Sequence, residues 1–152
     1  MTKILFVCHG NICRSTMAEY VMKDMVSKRG LDECFEIDSA ATSREEIGNP
    51  IYPPARKKLL SEGVPIGNHR ARQITRGDYE YYDKIYIMDH WNLRHILRVR
   101  GLTDKQAEFD GKIEMLVPRD VADPWYTGDF DATYRDVTEG CQRIIDEYKN
   151  NR

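Results

Sequence analysis

The N-terminal strand, loop and helix constrain the fold more than any other part of the chain. Residues 3–7, Lys-Ile-Leu-Phe-Val, form a short apolar run that reads as a buried strand ending at Cys8. The run passes directly into the polar stretch Cys8-His9-Gly10-Asn11-Ile12-Cys13-Arg14-Ser15. Met17, Val21, Met22, Met25 and Val26 then recur at helical spacing, with Gly30 as the stop. The alternation continues downstream. Residues 35–39, 84–88 and 113–117 read as strands, and helices are expected over 54–62 and through Trp91 and Ile96. Tyr134, Val137, Cys141, Ile144 and Tyr148 step by three and four residues along one face of a last helix. Between them, residues 43–54 hold Gly48, Asn49, Pro50, Pro53 and Pro54 and read as a surface loop. Strands alternating with helices predict an α/β fold: a three-layer α/β/α sandwich around a parallel sheet, opening with a strand–phosphate loop–helix unit. Ligands of such sheets bind beyond the carboxyl ends of the strands, and Cys8 stands at one of those ends.

Five residues separate Cys8 from Arg14. That spacing lets the backbone curl into a bowl of inward-facing N–H groups, with a helix N-terminus adding positive potential. Gly10 and Asn11 tolerate the positive φ that such a curl demands. Arg14 offers a planar fork that grips two phosphate oxygens together. The same donors favour the thiolate form of Cys8, an attacking nucleophile and an acceptable leaving group, and the Ser15 hydroxyl adds a further donor. A bare Cys-x5-Arg pattern is more often a buried structural cysteine with a helix-surface arginine. The preceding strand, the following helix and the placement of Gly, Asn and Ser reverse those odds. A Walker A loop is excluded, because no Lys-Ser or Lys-Thr follows a glycine at the required spacing.

The chain has 152 residues, enough for one domain over 1–152, and its net charge of −2 gives no reason to expect nucleic acid or an anionic membrane as partner. No apolar run is long enough to span a bilayer. Cys8, Cys13, Cys34 and Cys141 read as free thiols of a cytoplasmic protein rather than as a disulfide framework, with Cys34 and Cys141 in the core. Cys8 and Cys13 alone lack the further ligands a metal would need, so neither metal nor cofactor is expected.

With these residues in hand, the chain resembles the low-molecular-weight protein tyrosine phosphatases from Lys3 to the final helix. The densest stretches are Phe6-Val7-Cys8, Gly10-Asn11-Ile12-Cys13-Arg14-Ser15 with Met17-Ala18-Glu19, Asp38-Ser39-Ala40, Ala71-Arg72-Gln73, Met88-Asp89 and Asp123-Pro124. The resemblance implies a four-stranded parallel sheet with helices on both sides. It also implies hydrolysis of aryl phosphomonoesters through a phosphocysteine on Cys8, with His9 to Cys13 around the phosphate and Arg14 binding it. An isolated Asp-Pro is more often a turn signal than a catalytic acid. The resemblance decides for Asp123 as general acid and base, with Asp120 a weaker candidate. It makes Trp125 and Tyr126, otherwise ordinary packing residues, the aromatic wall of a cleft for phosphotyrosine protein or a small aryl phosphate. It assigns Asn11, Ser15, Ser39 and His69 to a network that holds the bowl rigid, places Asp89 near the loop, and pairs Cys13 with Cys8 in a reversible disulfide. A monomer or weak dimer is expected.

Three departures stand out. Residues 42–46, Thr-Ser-Arg-Glu-Glu, lack the aromatic often found there, His9 takes an aliphatic position, and Thr16 replaces a common proline. With His9 and Glu45 at the rim, one wall of the cleft is expected to be more polar and acidic. A thioredoxin-linked arsenate reductase would need extra cysteines near residues 88–100, where there are none. An idle phosphoprotein-binding module could dispense with Cys8 or Asp123, and both are present. The tyrosines at 79, 81 and 82 read as a mixed surface and core cluster.

Overall fold

In the computed structural model, which describes residues 1–100 and 111–151, strands and helices alternate along the chain. The strands are β1 Thr2–Cys8, β2 Phe35–Ala41, β3 Lys84–Ile87 and β4 Ile113–Met115. The described helices are α1 Arg14–Lys28, α2 Pro53–Ser61, α3 Arg76–Tyr81, α4 His90–Arg100, α5 Pro124–Thr127 and α6 Phe130–Asn150. The sheet runs β2-β1-β3-β4 and every pairing is parallel. This is the α/β/α sandwich expected from the alternation.

β1 has a neighbour on each edge and a helical layer on each face, so its side chains alternate between two cores. Ile4, Phe6 and Cys8 join the cluster built with α1, α2 and α6, while Leu5 and Val7 join the cluster with Ile96 of α4 and Tyr79 of α3. Ile4, Leu5, Phe6 and Val7 are fully buried, which stabilises the strand by roughly 2 kcal/mol per side chain. The mouth of the molecule is therefore hung from its most deeply buried strand. The last helix buries Val137, Cys141, Ile144 and Ile145, with Tyr134 and Tyr148 half-buried beside them. Gly140 lets it approach β4, because a Cβ there would run into the Leu116 side chain.

Several boundaries differ from the expected ones, each for a local reason. β2 continues through Ala41 because the segment after His69 lies alongside it: the Ala41 N–H donates to the Arg72 carbonyl and Ile74 N–H to the Ala41 carbonyl. β3 stops before Met88 because the Asn92 side chain accepts from the Met88 and Asp89 N–H groups. β4 ends at Met115, although Leu116 N–H still donates to the Ile87 carbonyl. α3 has only six residues, too few to show a period, and is started by a reciprocal cap between Thr75 and Asp78. The loop expected over 43–54 ends at Tyr52, because Pro53 and Pro54 already open α2; Ile51 is buried within it and the Tyr52 N–H donates to the Ile12 carbonyl. Cys141 is fully buried, while Cys34 is only partly buried at the edge of the core. Tyr79 and Tyr82 are buried and Tyr81 is exposed. No described helix is long and apolar enough to cross a membrane.

Candidate active site

The chain leaves β1 at Cys8 and turns back into α1 at Arg14, and the loop between them closes around the Cys8 sulfur. Asn11 N–H and Ser15 N–H approach that sulfur at 3.3 and 3.4 Å, and the Ser15 Oγ lies at 3.0 Å. The direction of the last contact follows from its neighbour. Asn11 Nδ2 donates to Ser15 Oγ at 2.8 Å, so the serine proton is free to point at sulfur. Three hydrogen-bond donors thus converge on one sulfur. Asn11 makes the curl possible: its φ of 60° is the single non-glycine positive φ among the described residues.

Asn11 is also the point at which the loop is tied to the body of the protein. Its Nδ2 donates to Ser39 Oγ at 2.9 Å as well as to Ser15, and its Oδ1 accepts from His69 Nε2 at 2.7 Å and from the Arg72 N–H at 3.3 Å. The four residues expected to share a network are therefore in one. Ser39 Oγ, having accepted from Asn11, donates to Glu19 Oε1 at 2.6 Å. His69 Nδ1 lies 3.3 Å from both Glu19 and Asp38, so acceptors face both ring nitrogens. Burial disfavours the Asp38 carboxylate, but the His69 contact, the Ser39 N–H and the Arg72 guanidinium outweigh it and hold its pKa down to about 2.

Glu19, Asp38 and Arg72 belong to this network although the motif reading gave them no role. Glu19 is essentially buried on α1, four residues after Ser15 and so on the same helix face, and Lys23 holds its second oxygen at 2.7 Å. A carboxylate on an otherwise apolar face was the signal that could have found it. Thr16 contributes too: its hydroxyl donates to the Asn11 carbonyl at 2.8 Å, a bond a proline could not make.

Arg14 is buried at the inner side of the bowl. Its Nη1 donates to Asp89 Oδ2 at 2.6 Å and to the Val121 carbonyl at 2.9 Å, while Nη2 lies 3.5 Å from Asp123 Oδ2. Burial works against its charge, but the Cys8 sulfur, Asp89 and Asp123 together raise its pKa above the ordinary value. Asp123 caps α5, with Oδ1 accepting from the Trp125 N–H at 3.0 Å, so its other oxygen faces the mouth. Asp120 does not share this position. It is exposed and bonded to the His90 ring at 2.9 Å.

One cleft brings together the expected residues: the loop from Cys8 to Arg14, then Glu45, Asp123, Trp125 and Tyr126, with Glu46 in addition. Ile12 and Cys13 are buried and pack with Ala71 beneath the loop. Burial first, then the nearby Cys8 and Asp123, pushes the Cys13 thiol pKa well up, so it stays protonated. Trp125 and Tyr126 are exposed, and Tyr52 backs Trp125 with ring centroids 4.7 Å apart. At the other lip, His9 Nε2 meets Glu45 Oε2 at 3.0 Å. The arrangement offers a nucleophile, an anion cradle with a buried cation, a carboxyl across from the nucleophile and an aromatic wall.

The model of a family described as low molecular weight phosphotyrosine protein phosphatase matches residues 3–152. Low molecular weight protein-tyrosine-phosphatase YfkJ of Bacillus subtilis is 34% identical over 147 residues, covering 95% of this chain and 94% of that protein. The human low molecular weight phosphotyrosine protein phosphatase is 36% identical over 152 residues, with the same coverage. The crystal structure of the Bacillus subtilis protein superposes with a TM-score of 0.91 over the whole of this chain and 97% of that one.

Proposed function

Since the chain belongs to the low molecular weight phosphotyrosine protein phosphatase family and is a protein-tyrosine phosphatase, we propose that it hydrolyses aryl phosphomonoesters, phosphotyrosine above all, through a phosphocysteine on Cys8. The observation that carries this reading is the convergence of three donors on the Cys8 sulfur beside the buried Arg14. One domain over 1–152 is the unit we assign to the reaction; 101–110 and 152 lie outside the described residues.

In the first step the Cys8 sulfur attacks phosphorus and the bond to the aryl oxygen breaks. Arg14 and the loop N–H groups hold the equatorial oxygens, where charge accumulates. Asp123, in its acid form, passes its proton to the departing phenolate. In the second step the Asp123 carboxylate takes a proton from water as that water attacks the phosphocysteine. The sulfur leaves as a thiolate into the donors of Ser15 and the two amides. The Trp125 and Tyr126 wall supports an aryl substrate, since a ring reaching the bowl is flanked by rings. Asn11, Ser39 and His69 position the bowl, and Asp89 positions Arg14. The unpaired cysteines suit a reducing compartment, so we place the protein in the cytoplasm.

Hydrolysis of p-nitrophenyl phosphate by the wild type, Cys8→Ser and Asp123→Ala proteins tests the reading. Cys8→Ser is expected to be inactive, and robust turnover by it would sink the mechanism. Asp123→Ala is expected to lose roughly 10²–10³ in kcat while inorganic phosphate still inhibits competitively, because the anion cradle is intact. The rim bears on the substrate: with His9 and Glu45 paired across one lip, we expect weaker binding of phosphotyrosine peptides than an aromatic lip gives. Unchanged peptide kinetics in Glu45→Trp would remove that expectation. Cys13 is the expected partner of an oxidised Cys8. Recovery of peroxide-treated enzyme by dithiothreitol should be lost in Cys13→Ser.

A further inference from the structure

Beside the catalytic bowl lies a second depression that the proposed chemistry does not use. It is lined by His9, Thr42, Ser43, His95, Arg98 and Val99, and it shares His9 with the bowl. The two are built as one piece: Thr42 N–H donates to the Cys8 carbonyl at 2.9 Å, and the Ser43 N–H and hydroxyl both donate to the His9 carbonyl. Arg98 is exposed and makes no ion pair with any described residue. The His95 ring lies 6.0 Å from the His9 ring, and His95 has no carboxylate partner among the described residues. Thr42 is buried, and its hydroxyl oxygen has no hydrogen-bond partner among the described residues. A buried hydroxyl of that kind costs free energy unless a ligand or neighbour completes it. The acidic residues of the rim, Glu45 and Glu46, line the bowl but not this groove.

We propose that this groove is an anion subsite that takes an acidic side chain, Asp or Glu, flanking the phosphotyrosine of a protein substrate. The assignment rests on the phosphatase reading above. A peptide whose phosphate is in the bowl must cross His9 to leave it on that side, and it then meets Arg98 and His95. Glu45 is bonded to His9 on this same lip, so the positive charge that would meet the carboxylate lies beyond that pair, at Arg98 and His95.

The test compares three phosphotyrosine peptides, one alanine-flanked, one glutamate-flanked on both sides and one lysine-flanked, with p-nitrophenyl phosphate as the substrate that cannot reach the groove. Wild type is expected to favour the glutamate peptide over the alanine peptide by about 3–10-fold in kcat/KM, carried by KM and shrinking as salt rises. His95→Ala/Arg98→Ala should bring that ratio to about 1, and Arg98→Glu should favour the lysine peptide, each with p-nitrophenyl phosphate turnover within about twofold of wild type. Equal turnover of all three peptides by wild type overturns the subsite, as does a preference that survives the double substitution. Loss of p-nitrophenyl phosphate turnover in Arg98→Glu also counts against it, since a groove outside the bowl should leave the bowl intact. Absence of any aryl phosphatase activity in wild type refutes the phosphatase reading itself, a different failure from a flat peptide series on an active enzyme.

Discussion

Asn11→Ala is the substitution that most directly asks whether the bowl is held from behind. The side chain makes two short donations, to Ser15 at 2.8 Å and Ser39 at 2.9 Å, and accepts from His69 at 2.7 Å and the Arg72 amide at 3.3 Å. Alanine leaves a ring nitrogen and a backbone N–H without that acceptor in a site where Asn11 itself is 1% exposed. Each buried group left unpaired costs about 1–3 kcal/mol. A further cost of about 1 kcal/mol comes from forcing alanine to hold a φ of 60°. Some relaxation offsets these terms, and the expected loss is about 3–5 kcal/mol, read as a lower urea midpoint at constant slope. Activity falls for a separate reason. Without the Asn11 donor, the Ser15 hydroxyl is no longer turned toward the Cys8 sulfur, and the two amides lose their fixed placement, so kcat on p-nitrophenyl phosphate should drop about 10²-fold. A double-mutant cycle with His69→Ala separates network from pair, and a coupling of about 1–2 kcal/mol is expected. A stability loss below about 1 kcal/mol with kcat within about threefold of wild type would refute the reasoning, because the loop would then hold its shape unaided.

Four further outcomes follow from the same geometry. Asp89→Ala removes the 2.6 Å partner of the buried Arg14 guanidinium and should cost about 2–3 kcal/mol in stability and roughly tenfold or more in kcat/KM, with partial rescue in Asp89→Asn. Thr16→Val removes the bond to the Asn11 carbonyl and should lower stability by about 1 kcal/mol in urea titration. Gly140→Ala gains about 1 kcal/mol of helix propensity but drives a methyl into Leu116, so a net loss of about 1–2 kcal/mol and a lower Tm are expected. Asp38, held at about 2 against an ordinary 3.8, contributes stability that is fully present above pH 4 and lost as pH falls toward 2. Because that side chain is about a third exposed, the contribution is about 1 kcal/mol, and Asp38→Asn should flatten acid unfolding in that window.

The parts of this protein legible in its sequence are those whose physics is local. β1, the loop and α1 follow one another without a break, so a buried run, a positive-φ asparagine, an arginine at fixed spacing and a helical period all report on the same few ångströms. The parallel sheet and its two helical layers follow from the alternation of elements, whereas the strand order β2-β1-β3-β4 does not. The network behind the loop is less legible because Asn11, Ser39, His69 and Arg72 are brought together only by the parallel pairing of β1 with β2 and by the segment bridging Ala41. His69 on its own is one histidine in a polar stretch, and only a family likeness gave it a role. Glu19 was within reach through its place one turn after Ser15. Glu46, which lines the cleft, and Tyr52, which backs Trp125, were not, because they come from a loop whose path is set by tertiary contacts such as the Tyr52 N–H bond to Ile12.

The position of Asp123 follows from the same contacts that place Arg14. Nη1 of Arg14 is committed to Asp89 and to the Val121 carbonyl, both outside the loop, and Val121 N–H returns to the Met88 carbonyl at 2.7 Å. Asp89 Oδ1 in turn accepts from the Asn92 N–H, so the end of β3 and the start of α4 hold the carboxylate that holds the arginine. The guanidinium thus joins the loop, the β3–α4 turn and the segment leading into α5 into one bonded unit, and Asp123 sits two residues along that segment from Val121. A shift in any of the three moves the Arg14 guanidinium and the Asp123 carboxyl together. The proposed nucleophile Cys8 and proposed acid Asp123, 115 positions apart in the chain, are kept in register by an arginine that commits its Nη1 to positioning.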